Sequence, residues 1–355
     1  MRGRRRWAGL VLVVLPFLGF AVGGCLPPAP PRPAAPQGDY LFCFWNLENF
    51  FDDQVDHRPS KVDQVYDRWF GENPEVFKQK LANVSKVLAA LNDGRGPDIL
   101  AVAEVEDRRA AELLRDALNA RLPQGAPPYQ HVLMEEVSGG RHIATAILTR
   151  LPAEAGRTRL LGRRQRILEG HLVVNGQELV VVASHWTSRV SSKEDREGSG
   201  RDKYAEVIYG RFKAMYLRDP RVAFLVCGDF NDTPHDQSVR EALHAGGSRE
   251  EVRRAAARGE PVLFDLFTDL DPAQYGTHSY RGKWFIFDQI VVSPGLLGDR
   301  GWVCLTDTVH TVRDRTADRK GRPRDFGSPS DRLPLSERGY SDHFPVTVRL
   351  ALHGP

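Results

Sequence analysis

Val226-Cys227-Gly228-Asp229-Phe230-Asn231-Asp232 places a carboxylate and an amide two residues apart, directly after the apolar residues 222–226. The apolar run predicts a strand that would present Asp229 and Asn231 at its carboxyl end, where open α/β sheets place their ligands. The same Gly-Asp-Phe-Asn sequence could also form a turn closed by side-chain hydrogen bonds. Further segments of similar character favour the first interpretation.

Five more segments place acids, amides or histidines beside apolar stretches. They are residues 44–49 (FWNLEN), 97–105 (PDILAVAEV), 183–186 (ASHW), 284–289 (WFIFDQ) and 341–344 (SDHF). Taken in chain order, the six motifs resemble those of the endonuclease/exonuclease/phosphatase family, the DNase I-like metal phosphodiesterases. The resemblance runs from about Tyr40 to about Leu350. It implies an α/β four-layer sandwich, in which helices flank two packed mixed β-sheets.

The pattern of elements agrees with a mixed sheet, because helical segments alternate with strands and hairpins. Asn175-Gly176 between residues 167–174 and 178–183 predicts a tight hairpin. Residues 74–91 predict an amphipathic helix, and residues 202–217 predict a second helix. Strands are predicted for residues 262–266, 285–292 and 346–350 among others. Residues 52–71 are predicted to form a loop beside the site, and residues 312–339 a mobile insertion.

Phosphodiester hydrolysis requires neutralised phosphoryl oxygens and an activated water, and a divalent cation can supply both. Magnesium prefers oxygen ligands. The resemblance implies that Glu104 is the principal metal ligand, that Glu48 shares the metal, and that Asp342 belongs to the same cluster. Mg²⁺ is therefore the expected cofactor, with Mn²⁺ or Ca²⁺ as alternatives. Asn46, two residues before Glu48, is expected to project to the same face of its strand and to donate to a phosphate or orient Asp229.

The resemblance also assigns the acid–base groups. Asp288 is implied to orient His343 beside the scissile phosphate, and a carboxylate in that position stabilises a charged imidazole. His343 would act there as the general base or as the group that polarises the phosphoryl oxygen. Asp229 would position or deprotonate the attacking water or assist the leaving oxygen, Asn231 would bond the phosphate, and His185 would contact a non-bridging oxygen. Each residue also has a structural alternative: Glu48 could cap a turn, Glu104 could be a surface acid, and His185 could be a packed core histidine.

Other residues near these motifs suit a substrate. Ser188 and Arg189 could bind a phosphate, because a guanidinium matches two phosphate oxygens. Lys283 and Trp284 could form a substrate wall suited to a stacked base or a lipid headgroup, although Trp284 could equally pack inside the sandwich. The substrate is predicted to be a phosphodiester, with nucleic acid the leading candidate. The alternatives are a phosphatase or phospholipase-type hydrolase of a phosphorylated small molecule or lipid headgroup, and an inactive binding module.

The amino terminus has the features of an export signal. Arg2 and Arg4 to Arg6 precede the apolar residues 10–22, which end in small residues before Cys25. We therefore predict a lipoprotein-type signal peptide at residues 1–24, a proline-rich tether at residues 25–38 and the catalytic domain at residues 39–355. Lipidation of Cys25 would anchor an exported protein to a bacterial membrane in the cell envelope. An ordinary cleaved signal is the alternative. The resemblance implies a monomer.

Removal of the signal changes the charge. The whole chain has 49 basic and 46 acidic residues, and the four arginines of residues 1–24 are accompanied by no acid, so 45 basic residues face 46 acidic ones in the remainder. Net charge therefore does not predict strong nonspecific attraction to nucleic acid. Three cysteines remain beyond Cys25, an odd number that argues against a full disulfide framework.

Overall fold

The apolar runs pair into two six-stranded sheets in a computed structural model of the chain, which describes residues 38–137, 140–162, 164–189 and 199–354. Residues Gln37–Pro355 form one compact unit. The predicted signal peptide, Cys25, and all of the predicted tether except Gly38 lie outside the described residues.

The first sheet contains β1 (Asp39–Phe50), β2 (Ile99–Val105), β3 (His131–Met134), β4 (Ala144–Thr149), β13 (Trp302–Thr311) and β14 (Val346–Leu352). The second contains β5 (Arg159–Leu160), β6 (Ile167–Val174), β7 (Gln177–His185), β8 (Phe224–Asp229), β9 (Phe264–Asp265) and β12 (Asp288–Val292). A separate hairpin joins β10 (His278–Tyr280) to β11 (Lys283–Phe285).

Both sheets are mixed and share one plan. The strand orders are β13-β14-β1-β2-β4-β3 and β5-β6-β7-β8-β12-β9. In each sheet one parallel pair, β1 with β2 or β7 with β8, is flanked by antiparallel neighbours. Parallel strands end at the same edge of a sheet, so the ends of these four strands can bring polar groups together.

The helices are α1 (Lys61–Gly71), α2 (Pro74–Ala89), α3 (Leu91–Gly94), α4 (Arg108–Asn119), α5 (Ser199–Tyr216), α6 (Arg249–Ala257) and α7 (Pro272–Tyr275). Of these, α1, α2, α4 and α5 cover the outer faces of the two sheets. One apolar core lies between the sheets, a second packs α1, α2 and α4 on the first sheet, and a third packs α5 on the second. The result is the predicted four-layer α/β sandwich. No helix within the described residues is long and apolar enough to span a bilayer.

Two short sequence signals have clear structural reasons. Asn175 and Gly176 both have positive φ, 51° and 76°, as a two-residue hairpin turn requires. At Gly228, a Cβ atom would stand 2.1 Å from the carbonyl oxygen of Ser184, so only glycine lets β8 approach β7 this closely. Gly228 thereby sets Asp229 against the end of β7.

Several sequence predictions need correction. The expected loop at residues 52–71 contains α1, whose buried face carries Asp63, Asp67 and Phe70, so its polar composition concealed a packed helix. Strand β13 was not predicted, and the expected strand 285–292 is divided between β11 and β12. Residues 262–266 contribute only the two-residue β9.

The prediction of a mobile insertion at residues 312–339 is wrong at its centre. Phe326 is buried, and its ring lies 5.8 Å from that of Trp69 and 6.1 Å from that of Phe70. Arg338 is also buried and donates a hydrogen bond to the Phe326 carbonyl. One aromatic anchor therefore holds a largely polar segment against α1.

Candidate active site

The site forms where β1, β2, β7 and β8 end. The backbone is left-handed at Glu48, Asn49, Glu104 and Asn231, with φ between 52° and 60°. At Glu48 and Glu104 this geometry accompanies breaks in strand register, between Asn46 and Phe50 and between Ala103 and Val105. Non-glycine residues in this conformation are uncommon and cluster at functional sites.

Asp229 stands at the centre of the site. It is fully buried, and its carboxylate accepts hydrogen bonds from the Asn46 side-chain amide at 3.1 Å and the Asn231 backbone amide at 2.9 Å. Its Oδ2 lies 3.7 Å from His185 Nε2 and 3.8 Å from His343 Nε2. Burial raises the pKa of Asp229 to about 7, with Asp288 adding to the effect and His343 opposing it. This carboxylate can therefore exchange a proton near neutral pH.

His343 is oriented by Asp288, as the motif order implied. Its Nδ1 lies 2.7 Å from Asp288 Oδ2, and both side chains are buried. Burial disfavours the charged imidazole, but the carboxylates of Asp288, Asp229 and Asp342 outweigh that effect and raise the pKa of His343 well above its usual value. These carboxylates therefore favour the charged form of the His343 imidazole.

His185 has the opposite electrostatic character. Burial, with the nearby charges of Arg166, His343 and Arg141, lowers the pKa of His185 well below its usual value. Its Nε2 lies 3.8 Å from Glu104 Oε1 as well as near Asp229. The site thus pairs one neutral imidazole with one charged imidazole on either side of a single carboxylate.

Glu104 closes the other side of this cluster. Its carboxylate accepts a hydrogen bond from the Asn46 amide at 3.2 Å and one from the Asn49 backbone amide at 2.8 Å. Because Asn46 Nδ2 also binds Asp229, one amide group links the two sheets. Glu104 and His185 line a cavity of about 570 Å³ together with Arg141, Arg164, Arg166, Ser188 and Tyr204.

Glu48 does not share a face with Asn46, which corrects the expectation from strand alternation. The left-handed backbone at Glu48 breaks the alternation, and its carboxylate accepts hydrogen bonds from the backbone amides of Phe326 and Gly327 at 2.7 and 2.9 Å. Lys80 Nζ lies 3.8 Å away. Burial raises the pKa of Glu48 to about 8; the Lys80 charge opposes this effect, and Asp342 adds to it.

The donor set fits a hard divalent cation in chemistry. Glu104, the Asn46 amide oxygen, Glu48 and the half-exposed Asp342 all offer oxygen atoms. Burial raises the pKa values of Glu48 and Asp229, and a bound cation would favour the charged forms of both carboxylates. Among the described residues, however, neither Glu48 nor Glu104 belongs to a group of three acids, histidines or cysteines with ligand atoms within 4.8 Å. A cation here would therefore complete its shell with water.

The four expected substrate residues have different environments. Ser188 lines the cavity beside His185. Arg189 donates to the Asn231 carbonyl at 2.8 Å and to Asp232 at 2.6 Å, so much of its guanidinium is engaged by the Asp229 loop. Trp284 is covered by Arg313, 4.3 Å from its ring, and stacks on Phe344. Its face is thus occupied by protein, whereas Lys283 is exposed.

Sequence reasoning missed His278 and Lys80, which contact groups of the site, and Arg141, which lines the cavity. The His278 ring contacts that of His343 at a tilt of 33°, with ring centroids 4.7 Å apart, and its Nδ1 pairs with the Asp342 carbonyl at 3.0 Å. Lys80 is fully buried and donates to the carbonyls of Glu48 and Tyr340. Lys80 lies at helical spacing from Phe77 and Val84, so the apolar face of α2 was a usable signal.

Two mixed sheets packed face to face, with acids, amides and imidazoles at adjoining strand ends, form a site suited to phosphoester hydrolysis. The chain belongs to the endonuclease/exonuclease/phosphatase family, whose model matches residues 145–352. It is therefore a hydrolase acting on phosphoester bonds. No curated protein matches the chain.

Solved structures share the fold at low sequence identity. A mannosyl-6-phosphatase from Bacteroides thetaiotaomicron is 16% identical, with a TM-score of 0.53 over 88% of this chain and 100% of that one. SmcL is 13% identical, with a TM-score of 0.53 over 88% of this chain and 99% of that one. TDP2 from D. rerio, complexed with a single-strand DNA product, is 14% identical, with a TM-score of 0.50 over 88% and 98%.

Proposed function

We propose that this protein is a metal-dependent phosphodiesterase that uses an activated water, with nucleic acid as its leading substrate. The observation that carries the proposal is the position of the Asp229 carboxylate, 3.7 and 3.8 Å from the two imidazoles. Those separations exceed direct hydrogen bonds and leave the carboxylate oxygen available to a water or phosphoryl oxygen.

The protonation states assign a role to each group. Asp229, with a pKa raised by burial to about 7, positions the attacking water and accepts its proton. The charged His343, held by Asp288, stabilises negative charge developing on the phosphoryl group. Neutral His185 can donate from Nε2 to a non-bridging oxygen. Asn231 remains a candidate phosphate ligand, although its side-chain amide also donates to the Trp186 carbonyl at 3.2 Å.

The implied cation is Mg²⁺, with Mn²⁺ or Ca²⁺ as alternatives. Glu104 would be its principal ligand, with the Asn46 oxygen, Asp342 and Glu48 as further donors. A bound divalent cation supplies Lewis-acid stabilisation of phosphoryl oxygens and lowers the pKa of water. Glu48 can contribute only an oxygen that also serves the Phe326 or Gly327 amide.

The cavity beside Glu104 supports a polyanionic substrate. Arg141, Arg164 and Arg166 line it together with Glu104 and His185. Arg164 is exposed, and its guanidinium has no hydrogen-bond or ion-pair partner among the described residues. A nucleic acid strand carries further phosphates beside the scissile one and would match these charges. The near-balanced charge of the chain beyond residue 24 favours the second candidate, a phosphorylated small molecule or lipid headgroup.

A substrate panel tests the proposal. Purified protein is incubated with plasmid DNA, RNA, sphingomyelin, a bis-aryl phosphodiester and an aryl phosphomonoester, with and without magnesium. Asp229→Asn is compared with Asp265→Asn, because both aspartates are buried strand-end residues of the same sheet. We expect magnesium-dependent diester cleavage that only Asp229→Asn abolishes. Cleavage of the monoester alone would refute the diesterase proposal.

We further propose that the protein is exported and anchored to a bacterial membrane through Cys25, with the domain acting as a monomer. The support is the arginine-led apolar run that ends at Gly23-Gly24-Cys25. Mass spectrometry of the membrane fraction should detect a diacylglyceryl group on Cys25. An unmodified soluble form would contradict the anchor.

A further inference from the structure

An arginine-rich face lies at the end of the domain opposite the candidate active site. It surrounds a cavity of about 550 Å³ between the β6–β7 turn, the end of α5 and the start of β13. Five arginines line this cavity: Arg157, Arg211, Arg218, Arg221 and Arg300. Only two acids, Glu178 and Asp219, line it with them. We refer to this surface as the arginine face.

The arginine face retains positive charge after its internal ion pairs are considered. Arg157 is paired with Glu178, and Arg221 is paired with Asp219. The pair of Arg221 and Asp219 is exposed, and exposed ion pairs are weak. The guanidinium groups of Arg218 and Arg300 have no ion-pair or hydrogen-bond partner within the described parts of the chain. These two cations are therefore available to an external anion.

An exposed apolar side chain accompanies these cations. Leu217, next to Arg218, is 67% exposed, the highest value among the large hydrophobic residues of the described chain. It directly follows α5. A hydrophobic residue beside several arginines has the composition of a surface that enters the interface of an anionic membrane.

The position of the arginine face agrees with such a partner. Trp302, at its edge, lies 5.3 Å from Tyr40 between ring centroids, and Gly38 accepts a hydrogen bond from Leu352 beside it. Gly38, the first described residue, therefore lies at this same end. Strand β7 runs from Gln177 at the arginine face to His185 in the active site, roughly 26 Å at about 3.3 Å per residue.

We propose that the arginine face docks on an anionic lipid surface and holds the active site away from the membrane. Arg218, Arg221 and Arg300 would contact lipid phosphates, and Leu217 would enter the headgroup region. The bound orientation directs the catalytic cavity toward substrates in the aqueous phase. This inference is independent of which phosphoester the site hydrolyses.

Hydrogen exchange on the full chain tests the docking. The protein is mixed with vesicles of phosphatidylcholine alone or with about one-third phosphatidylglycerol, an anionic composition. We expect the anionic vesicles to slow exchange severalfold in residues 215–223 and 300–302. Helix α1 is the internal control, because Val62 and Val65 are 52% and 51% exposed there without a comparable arginine cluster. Equal protection of α1 would indicate nonspecific adsorption and overturn the proposal.

Charge reversal distinguishes the arginine face from other basic surfaces. Each arginine near an anionic surface raises the affinity for that surface by about fivefold. R218E/R221E/R300E should therefore weaken binding to anionic vesicles by at least ~100-fold and abolish the protection of residues 215–223 and 300–302 from hydrogen exchange. R319E/K320E/R332E makes the same charge change on the insertion and should retain protection. Ionic strength of about 1 M, where the Debye length is about 3 Å, should also remove it. Protection that survives R218E/R221E/R300E, or that is equal on neutral vesicles, would refute the proposal. Unchanged cleavage of the bis-aryl phosphodiester verifies that this variant is folded.

Discussion

Replacing Asp288 by asparagine tests the electrostatic basis of the site. The substitution keeps the size of the side chain and removes the negative charge 2.7 Å from His343 Nδ1. Asp229 and Asp342 still face the imidazole, so the change isolates one of three carboxylates that raise its pKa. The buried Asp288 Oδ1 has no hydrogen-bond partner among the described residues. The amide nitrogen of asparagine can therefore replace this oxygen without breaking an existing hydrogen bond.

The expected magnitude follows from the separation of the charges. Opposite unit charges about 4 Å apart interact by roughly 4 kcal/mol at an effective dielectric constant near 20. That energy corresponds to about a thousandfold in the protonation equilibrium of His343. Burial then dominates, so the pKa of His343 should fall from well above its usual value to near or below it. At neutral pH the imidazole would lose its charge, and turnover should fall on the order of 10²–10⁴-fold.

The assay is nuclear magnetic resonance titration of the histidine side chains without metal, combined with the pH dependence of bis-aryl phosphodiester cleavage. Because its folded-state pKa is raised, His343 stabilises the wild-type protein below the unfolded pKa, and this stabilisation is lost as pH rises through the folded pKa. Asp288→Asn should therefore destabilise the protein most in acid. As pH rises, the variant should lose activity at a lower pH than the wild type does, because its His343 loses the proton earlier.

Asp265→Asn is the matched control because it makes the same substitution at another buried aspartate of the second sheet, one that has no histidine partner. An unchanged His343 titration in Asp288→Asn would refute the electrostatic reasoning. Equal losses of activity in the two variants would show that the effect is structural.

Three further predictions concern other parts of the molecule. Burial raises the pKa of Asp265 to about 8. The stability that its protonated form contributes is therefore complete below the unfolded pKa and is lost as pH rises through the folded pKa. In calorimetry, Asp265→Asn should raise Tm relative to wild type at pH 8, and should raise it much less at pH 4. Glu104→Asn should abolish magnesium-dependent cleavage. Its free energy of unfolding in urea should be equal to that of the wild type or up to ~1 kcal/mol higher, because asparagine accepts the φ of 60° more readily. Full turnover in low magnesium would contradict the metal role of Glu104. Phe326→Ala should cost about 3–5 kcal/mol of local or global stability and expose residues 312–339 to trypsin, and an unchanged digestion pattern would show that the aromatic anchor is dispensable.

The segments that sequence reasoning placed most accurately have local causes. Asn175-Gly176 formed its hairpin because both residues tolerate positive φ. The apolar run 222–226 located β8, although the strand begins at Phe224 and continues to Asp229. Strands β9 and β13 were harder to predict, because β9 has only two residues and β13 is partly exposed. Both owe their conformation to pairing with strands distant in the sequence. Local propensity carries little information about such pairing.

Glu48 and Lys80 show why the site was only partly predictable. Strand alternation placed Glu48 beside Asn46, but a left-handed residue reversed its direction toward Phe326, 278 residues away in the sequence. Lys80 lies on the buried face of α2, yet a charged residue among apolar neighbours was not recognised as part of the site. Its partners are carbonyl groups of Glu48 and Tyr340, which no spacing rule connects to α2.

The sequence alone determined the class of elements, the six motifs and the oxygen-rich and imidazole chemistry that they carry, because these depend on residue type and short-range periodicity. Only the tertiary structure decided that Asp229 lies between a neutral His185 and a charged His343, that Trp284 is covered, and that arginines gather at the opposite end. Charge states, available surfaces and ligand directions depend on burial and on partners distant in the chain, so they exist only once the two sheets have packed.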